Sequence, residues 1–108
     1  MQSLRNKVQL IGHVGNTPEV KQVANNRKMA KFSLATNDSF TNQQGEKITQ
    51  TEWHSLIAWG KLAEIVEQHV TKGKELVVEG KLTYNSYEDA NGVKRTNAEI
   101  VVNELLLL

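Results

Sequence analysis

A chain of 108 residues is sized for one domain with a single modest core. Its 39% apolar and 23% charged content argues against wholesale disorder, and the lack of cysteine excludes a disulfide framework or a cysteine-ligated metal. With 13 basic and 12 acidic residues the formal charge is +1, so bulk electrostatics alone do not call for a polyanionic partner.

Residues 6 to 15 read as a first strand with Val8 and Leu10 on one face, and Gly12 and Gly15 mark a sharp bend or bulge. Thr17-Pro18 is a turn, Glu19 to Val23 a short extension, and Asn25-Asn26 a second turn. Lys28 to Thr36 is a second strand, its Ala30, Phe32 and Leu34 face turned inward. The polar stretch from Asn37 to Gln50, centred on Asn42-Gln43-Gln44-Gly45-Glu46, reads as a long hairpin loop. Thr51 to Trp59 is a third strand without Pro or Gly.

Lys61 to Val70 is the one convincing helix, with Leu62, Ile65, Val66 and His69 or Val70 at helical spacing. Lys72-Gly73 closes it with a cation and a capping glycine. Glu75 to Tyr87 is a long fourth strand bent at Gly80, Ala90-Asn91-Gly92 a hairpin turn, and Lys94 to Val102 a fifth strand. This order predicts an all-β OB-fold over residues 1–108: a five-stranded Greek-key barrel with one helix between strands three and four.

Alternation puts Trp53, Ser55, Ile57 and Trp59 on one face of the third strand, and His54, Leu56 and Ala58 on the other. The two indoles are then roughly 20 Å apart, too far to stack on each other and suited to a groove holding several flat ligands. Two core tryptophans would be the bland alternative. The chain has only two Trp, two Tyr and two Phe, which gives the shared face more weight.

Stacking needs accessible rings with cations spaced along a phosphate backbone. The ring candidates are Phe40, Trp53, Trp59, Tyr84 and Tyr87. Tyr84 and Tyr87 face opposite ways on a regular strand, and Tyr87, near the hairpin tip, is the better binding candidate. The cation clusters Arg27-Lys28 with Lys31, Lys72 with Lys74, and Lys94-Arg95 each read alone as a solvated turn. No base-edge reader is evident, which points to sequence-tolerant binding.

His13, His54 and His69 lack metal-ligand spacing, and no nucleophile, base and orienting group can be assembled. The expectation is a binding protein, not an enzyme, with no metal and no cofactor. Met1-Gln2-Ser3-Leu4-Arg5 carries no apolar signal core, and the Leu105-Leu106-Leu107-Leu108 run is too short to span a bilayer. A cytoplasmic protein without a membrane partner is expected.

Several segments resemble, in order, the bacterial-type single-stranded DNA-binding protein family. They include Asn6-Lys7-Val8, Pro18-Glu19-Val20, Leu34-Ala35-Thr36-Asn37, Thr51-Glu52-Trp53-His54, Gly60-Lys61-Leu62-Ala63-Glu64 and Glu99-Ile100-Val101-Val102-Asn103. The Thr-Glu-Trp-His and Gly-Lys-Leu-Ala-Glu pair is the specific part. The resemblance implies a homotetramer coating single-stranded DNA in replication, recombination and repair. It implies stacking by Phe40, Trp53, Trp59 and Tyr87, phosphate contacts from Lys61 and Lys72, and a subunit-interface place for His54.

In that family the position of Tyr87 is commonly Trp and that of Trp59 commonly Phe; a ring is kept at both. The residues before Tyr87, often basic there, are Thr83-Tyr84-Asn85-Ser86, so weaker electrostatics or compensation by Tyr84 is expected. The family usually continues into a long flexible tail with an acidic tip that recruits repair proteins, whereas this sequence stops at Leu108: either the tail is missing by truncation or the hub role is absent, which leaves those partners in doubt. A primosome accessory paralogue on the same fold is the alternative. An oligosaccharide-binding or purely structural module fits the aromatic residues but not the family segments.

Overall fold

A computed structural model describes residues 4–108. Its elements are β1 (Val8–Val14), β2 (Glu19–Val23), β3 (Arg27–Thr41), β4 (Lys47–Trp59), α1 (Lys61–His69), β5 (Glu75–Glu88) and β6 (Lys94–Leu107). The sheet order is β1-β5-β6-β4-β3-β2. A further pairing, His13 with Ala35 and Val14 with Leu34, returns β1 to β3 and closes a barrel of β1, β5, β6, β4 and β3. Every pairing is antiparallel except β4 with β6. With α1 between the third and fourth barrel strands, this is the expected OB-fold arrangement.

The barrel is filled by the alternate residues of its strands. Ala30, Phe32 and Leu34 of β3 meet Leu56 and Ala58 of β4, Leu76 and Val78 of β5, and Ile100 and Val102 of β6. Closure brings backbones together at two glycines. A Cβ on Gly12 would run into the Ala35 carbonyl at the β1–β3 seam. One on Gly80 would strike the Val101 carbonyl, where the β5–β6 register slips between Glu79 and Gly80.

Four expectations need correction. The stretch 37–50 is mostly paired strand: Asn37 faces Thr51, Ser39 faces Thr49, and Phe40 faces Ile48. A two-stranded ribbon with both faces in water needs no apolar face, so polar composition did not forbid it. Only 42–46 turn, held by the Asn42 carboxamide oxygen accepting from the Gln44 and Glu46 amides at 3.0 and 2.9 Å.

The helix buries Ala63, Val66 and Val70, while Ile65 is 37% exposed. Leu62 packs against the same core, and Ile65 is about 100° around the axis from Val66. Gly73 is not the helix cap; Val70 ends the helix, and Gly73, at φ 88°, shapes the turn that follows. Finally, β6 runs to Leu107, because its last residues pair with Leu76 to Val78 of β5.

Candidate nucleic-acid interface

Leu56 and Ala58 fill the barrel, so the alternate residues of β4 must face outward. This leaves Trp53 64% exposed. On β3 the rung partners of this outer face are Ala35 with Trp53, Ser33 with Ser55, Lys31 with Ile57, and Met29 with Trp59.

The Trp53 indole lies over Gly15, where a Cβ would overlap the ring and approach Ser33 Oγ. Gly15 is pinned there by its amide, which donates to the Ser33 carbonyl at 2.9 Å. Asn16 Oδ1 accepts from the Ser33 amide at 2.8 Å and its hydroxyl at 2.7 Å. At the other end of the strand the Arg27 guanidinium sits 4.4 Å from the centroid of the Trp59 ring.

Two adjoining cavities that share Lys31 and Glu99 form a groove beside this face, lined in part by residues of β5 and β6. Its part nearer Trp53, about 350 Å³, is lined by Asn16, Ser33, Ser55, Asn97 and Glu99 among others. Its part at Trp59, about 550 Å³, includes Met29, Ile57, Lys81, Thr83 and Asn85. Tyr87 follows Lys81, Thr83 and Asn85 at even steps, so alternation sets it on the groove side of β5. Tyr84 belongs to the opposite side; both tyrosines are exposed.

The structure does not gather all the predicted residues. Phe40, 47% exposed, alternates with Phe32 and Leu34, on the face of the β3–β4 ribbon opposite Trp53. Lys61 opens α1 just after Trp59. Lys72 lies in the turn after α1, where the Gly73 amide donates to the Val14 carbonyl at 2.7 Å, beside Gly15 and the Trp53 end. Lys61 thus follows the Trp59 end of β4, and Lys72 sits in a turn bonded to β1 one residue before Gly15. His54 is half-buried, with Nε2 2.9 Å from Thr36 Oγ1 across the β3–β4 pair.

The three cations near β3 do not form one solvated turn. Arg27 stacks on Trp59. Lys28 bonds Glu67 of α1 at 2.7 Å, and that hydrogen bond holds its ammonium pKa above the ordinary lysine value. Lys31 reaches Glu99 at 3.8 Å. In the hairpin, Arg95 Nε donates to Asp89 Oδ2 at 2.7 Å, which pulls the Asp89 carboxyl below its usual pKa; the Val93 and Asn91 amides add to this. The sequence reading missed Glu99 as a groove residue and the stacking of Arg27 on Trp59. No sequence signal pointed to the Arg27–Trp59 contact, because it depends on the register that sets Met29 opposite Trp59.

Among the described residues no group of three or more His, Cys, Asp or Glu is placed to hold a metal ion. No helix among them is long and apolar enough to cross a membrane.

The profile of the Single-strand binding protein family matches residues 5–108. The single-stranded DNA-binding protein 1 of Chlorobaculum tepidum is 41% identical over 104 residues, covering 95% of this chain and 64% of that protein. The single-stranded DNA-binding protein of Neisseria meningitidis serogroup A is 38% identical over 103 residues, covering 95% of this chain and 59% of that protein. The chain thus spans less than two thirds of the length of these relatives. Among solved structures, Plasmodium falciparum SSB in complex with ssDNA superposes with a TM-score of 0.89 at 27% identity, covering 100% of this chain and 98% of that one. The chain belongs to the single-strand binding protein family.

Proposed function

We propose that residues 1–108 act as one non-catalytic domain that binds and protects single-stranded DNA with little regard to sequence, in replication, recombination and repair. The observation that carries this is the exposed Trp53 indole, laid over Gly15 at the end of a groove that has Trp59 at its other end. A large ring held in water by its own strand is an available stacking platform, as in OB-fold single-strand binders generally. Trp53, Trp59 and Tyr87 stack bases along the groove, and Lys61 and Lys72 meet phosphates. Phe40 and Tyr84 serve the strand where it leaves the groove and turns around the projecting ribbons. The exposed tryptophan face argues against the primosome accessory alternative. The place of action is the cytoplasm.

The assembly proposed is a homotetramer. Ile11, Val77 and Leu106 are consecutive rung partners across β1, β5 and β6, and Ile11 and Leu106 are 56% and 61% exposed. Such an apolar row suits a self-complementary contact. His54 belongs to a subunit interface in this reading.

Titration with oligothymidylate, read by tryptophan fluorescence, tests the function. Bound bases should quench the emission, and Trp53→Ala or Trp59→Ala should each cost about 1–3 kcal/mol per stacked base. Unchanged emission at saturation, or full affinity in the double variant, would sink the proposal.

A further inference from the structure

The ion pair between Lys31 and Glu99 lies within the groove itself. Lys31 belongs to β3 and Glu99 to β6, with β4 running between them; Ile57, the rung partner of Lys31, is only 5% exposed although it faces outward. Both charged residues line both parts of the groove, so the 3.8 Å contact crosses the path from Trp53 to Trp59. The Glu99 side chain is 15% exposed and Lys31 52%. Asn85 Nδ2 donates to Glu99 Oε1 at 3.2 Å, and the Thr83 hydroxyl donates to the Glu99 carbonyl at 2.9 Å.

A carboxylate held there is a fixed negative charge where a polyanion is to pass. The lysine is long, exposed and loosely bound, and an exposed ion pair of this kind is weak. The carboxylate is the better anchored partner, so the lysine is the one that moves.

We propose that Lys31 and Glu99 form a bar across the groove that an entering single strand opens. Lys31 leaves Glu99 for a phosphate, and the carboxylate left behind limits affinity by competing with the strand for that lysine. This rests on the reading of the groove as the DNA path. Glu99 is then an affinity-setting residue that weakens binding and eases release.

The test is a fluorescence titration with oligothymidylate over a salt series, using wild type, Glu99→Gln, Lys31→Ala and the double variant. Glu99→Gln keeps the side-chain shape and a carbonyl oxygen for Asn85, and should bind about two- to fivefold tighter, the size of one weak exposed ion pair released. Lys31→Ala should cost more in the Glu99→Gln background than in wild type, and there reduce the salt slope by about 0.7. Glu99→Asp, which keeps the charge, should not tighten binding. Lys31→Glu, at an exposed position that leaves folding intact, should weaken binding more than Lys31→Ala.

Equal Lys31→Ala losses in both backgrounds overturn the bar, as does a Glu99→Gln affinity no better than wild type. So do tightening by Glu99→Asp and equal losses for Lys31→Glu and Lys31→Ala. If wild type fails to bind at all, the functional reading falls and takes the bar with it. Wild-type binding with an indifferent Glu99→Gln removes the bar alone.

Discussion

The guanidinium of Arg27 lies over the Trp59 ring at 4.4 Å from its centroid, so one face of that indole is already covered by a cation. A base can stack only on the other face. Arg27→Ala should cost about 0.5–1 kcal/mol of stability, the range for an exposed cation–π contact. It should also shift Trp59 emission in the free protein. Urea unfolding and fluorescence in a Trp53→Phe background measure both. An unchanged spectrum would mean that the contact is not populated in solution.

Gly15 and Gly12 fail in different ways when a methyl group is added. In Gly15→Ala the new Cβ meets the Trp53 ring, which can swing away, so the expected loss is in DNA affinity and in Trp53 emission. In Gly12→Ala it meets the Ala35 carbonyl at the barrel seam, which cannot yield without opening the β1–β3 pairing. That variant should lose about 1–3 kcal/mol of stability, as overpacked sites do. Thermal melts beside oligothymidylate titrations separate the two. Equal behaviour of the variants would refute the distinction.

Salt dependence should report which face of β5 carries the DNA. Asn85 lines the groove and Ser86 is on the alternate side. Asn85→Arg should add about one phosphate contact and steepen the log Kd against log salt slope by about 0.7, whereas Ser86→Arg should change it little. The reverse pattern would place the strand on the Tyr84 side of the hairpin.

His54 is tied to Thr36 by a 2.9 Å contact within its own chain. A tyrosine there is longer than the imidazole and removes that contact. In the proposed tetramer, with His54 in a subunit interface, His54→Tyr should overfill that interface, move the assembly toward smaller species and weaken DNA binding at low protein concentration. Sedimentation velocity of wild type and variant decides: a monomeric wild type ends the tetramer reading, and an intact variant tetramer takes His54 out of the interface.

The strand alternation around Trp53 was legible because it depends only on local geometry. It put Trp53 and Trp59 on one face and Leu56 and Ala58 on the other, and the glycines in the first and fourth strands marked bends; which face turned outward was settled only when Leu56 and Ala58 were seen to fill the barrel. The ribbon from Asn37 to Gln50 was not legible. A solvated two-stranded arm leaves no hydrophobic period, and its pairing is set by the register that the barrel imposes on β3 and β4.

The element order, the helix between the third and fourth barrel strands, the inward face of β3 and the sharing of one β4 face by Trp53 and Trp59 were all readable along the chain. Those follow from side-chain period and from glycine and turn residues, which act over a few neighbouring positions. The fate of the charges emerges only with the closed barrel. Arg27, Lys28 and Lys31 look like one basic cluster along the chain, yet they end on Trp59, Glu67 and Glu99. Their partners lie 32, 39 and 68 residues away in sequence. Charge pairing depends on distances across the barrel, and nothing in the local pattern encodes these before the barrel closes.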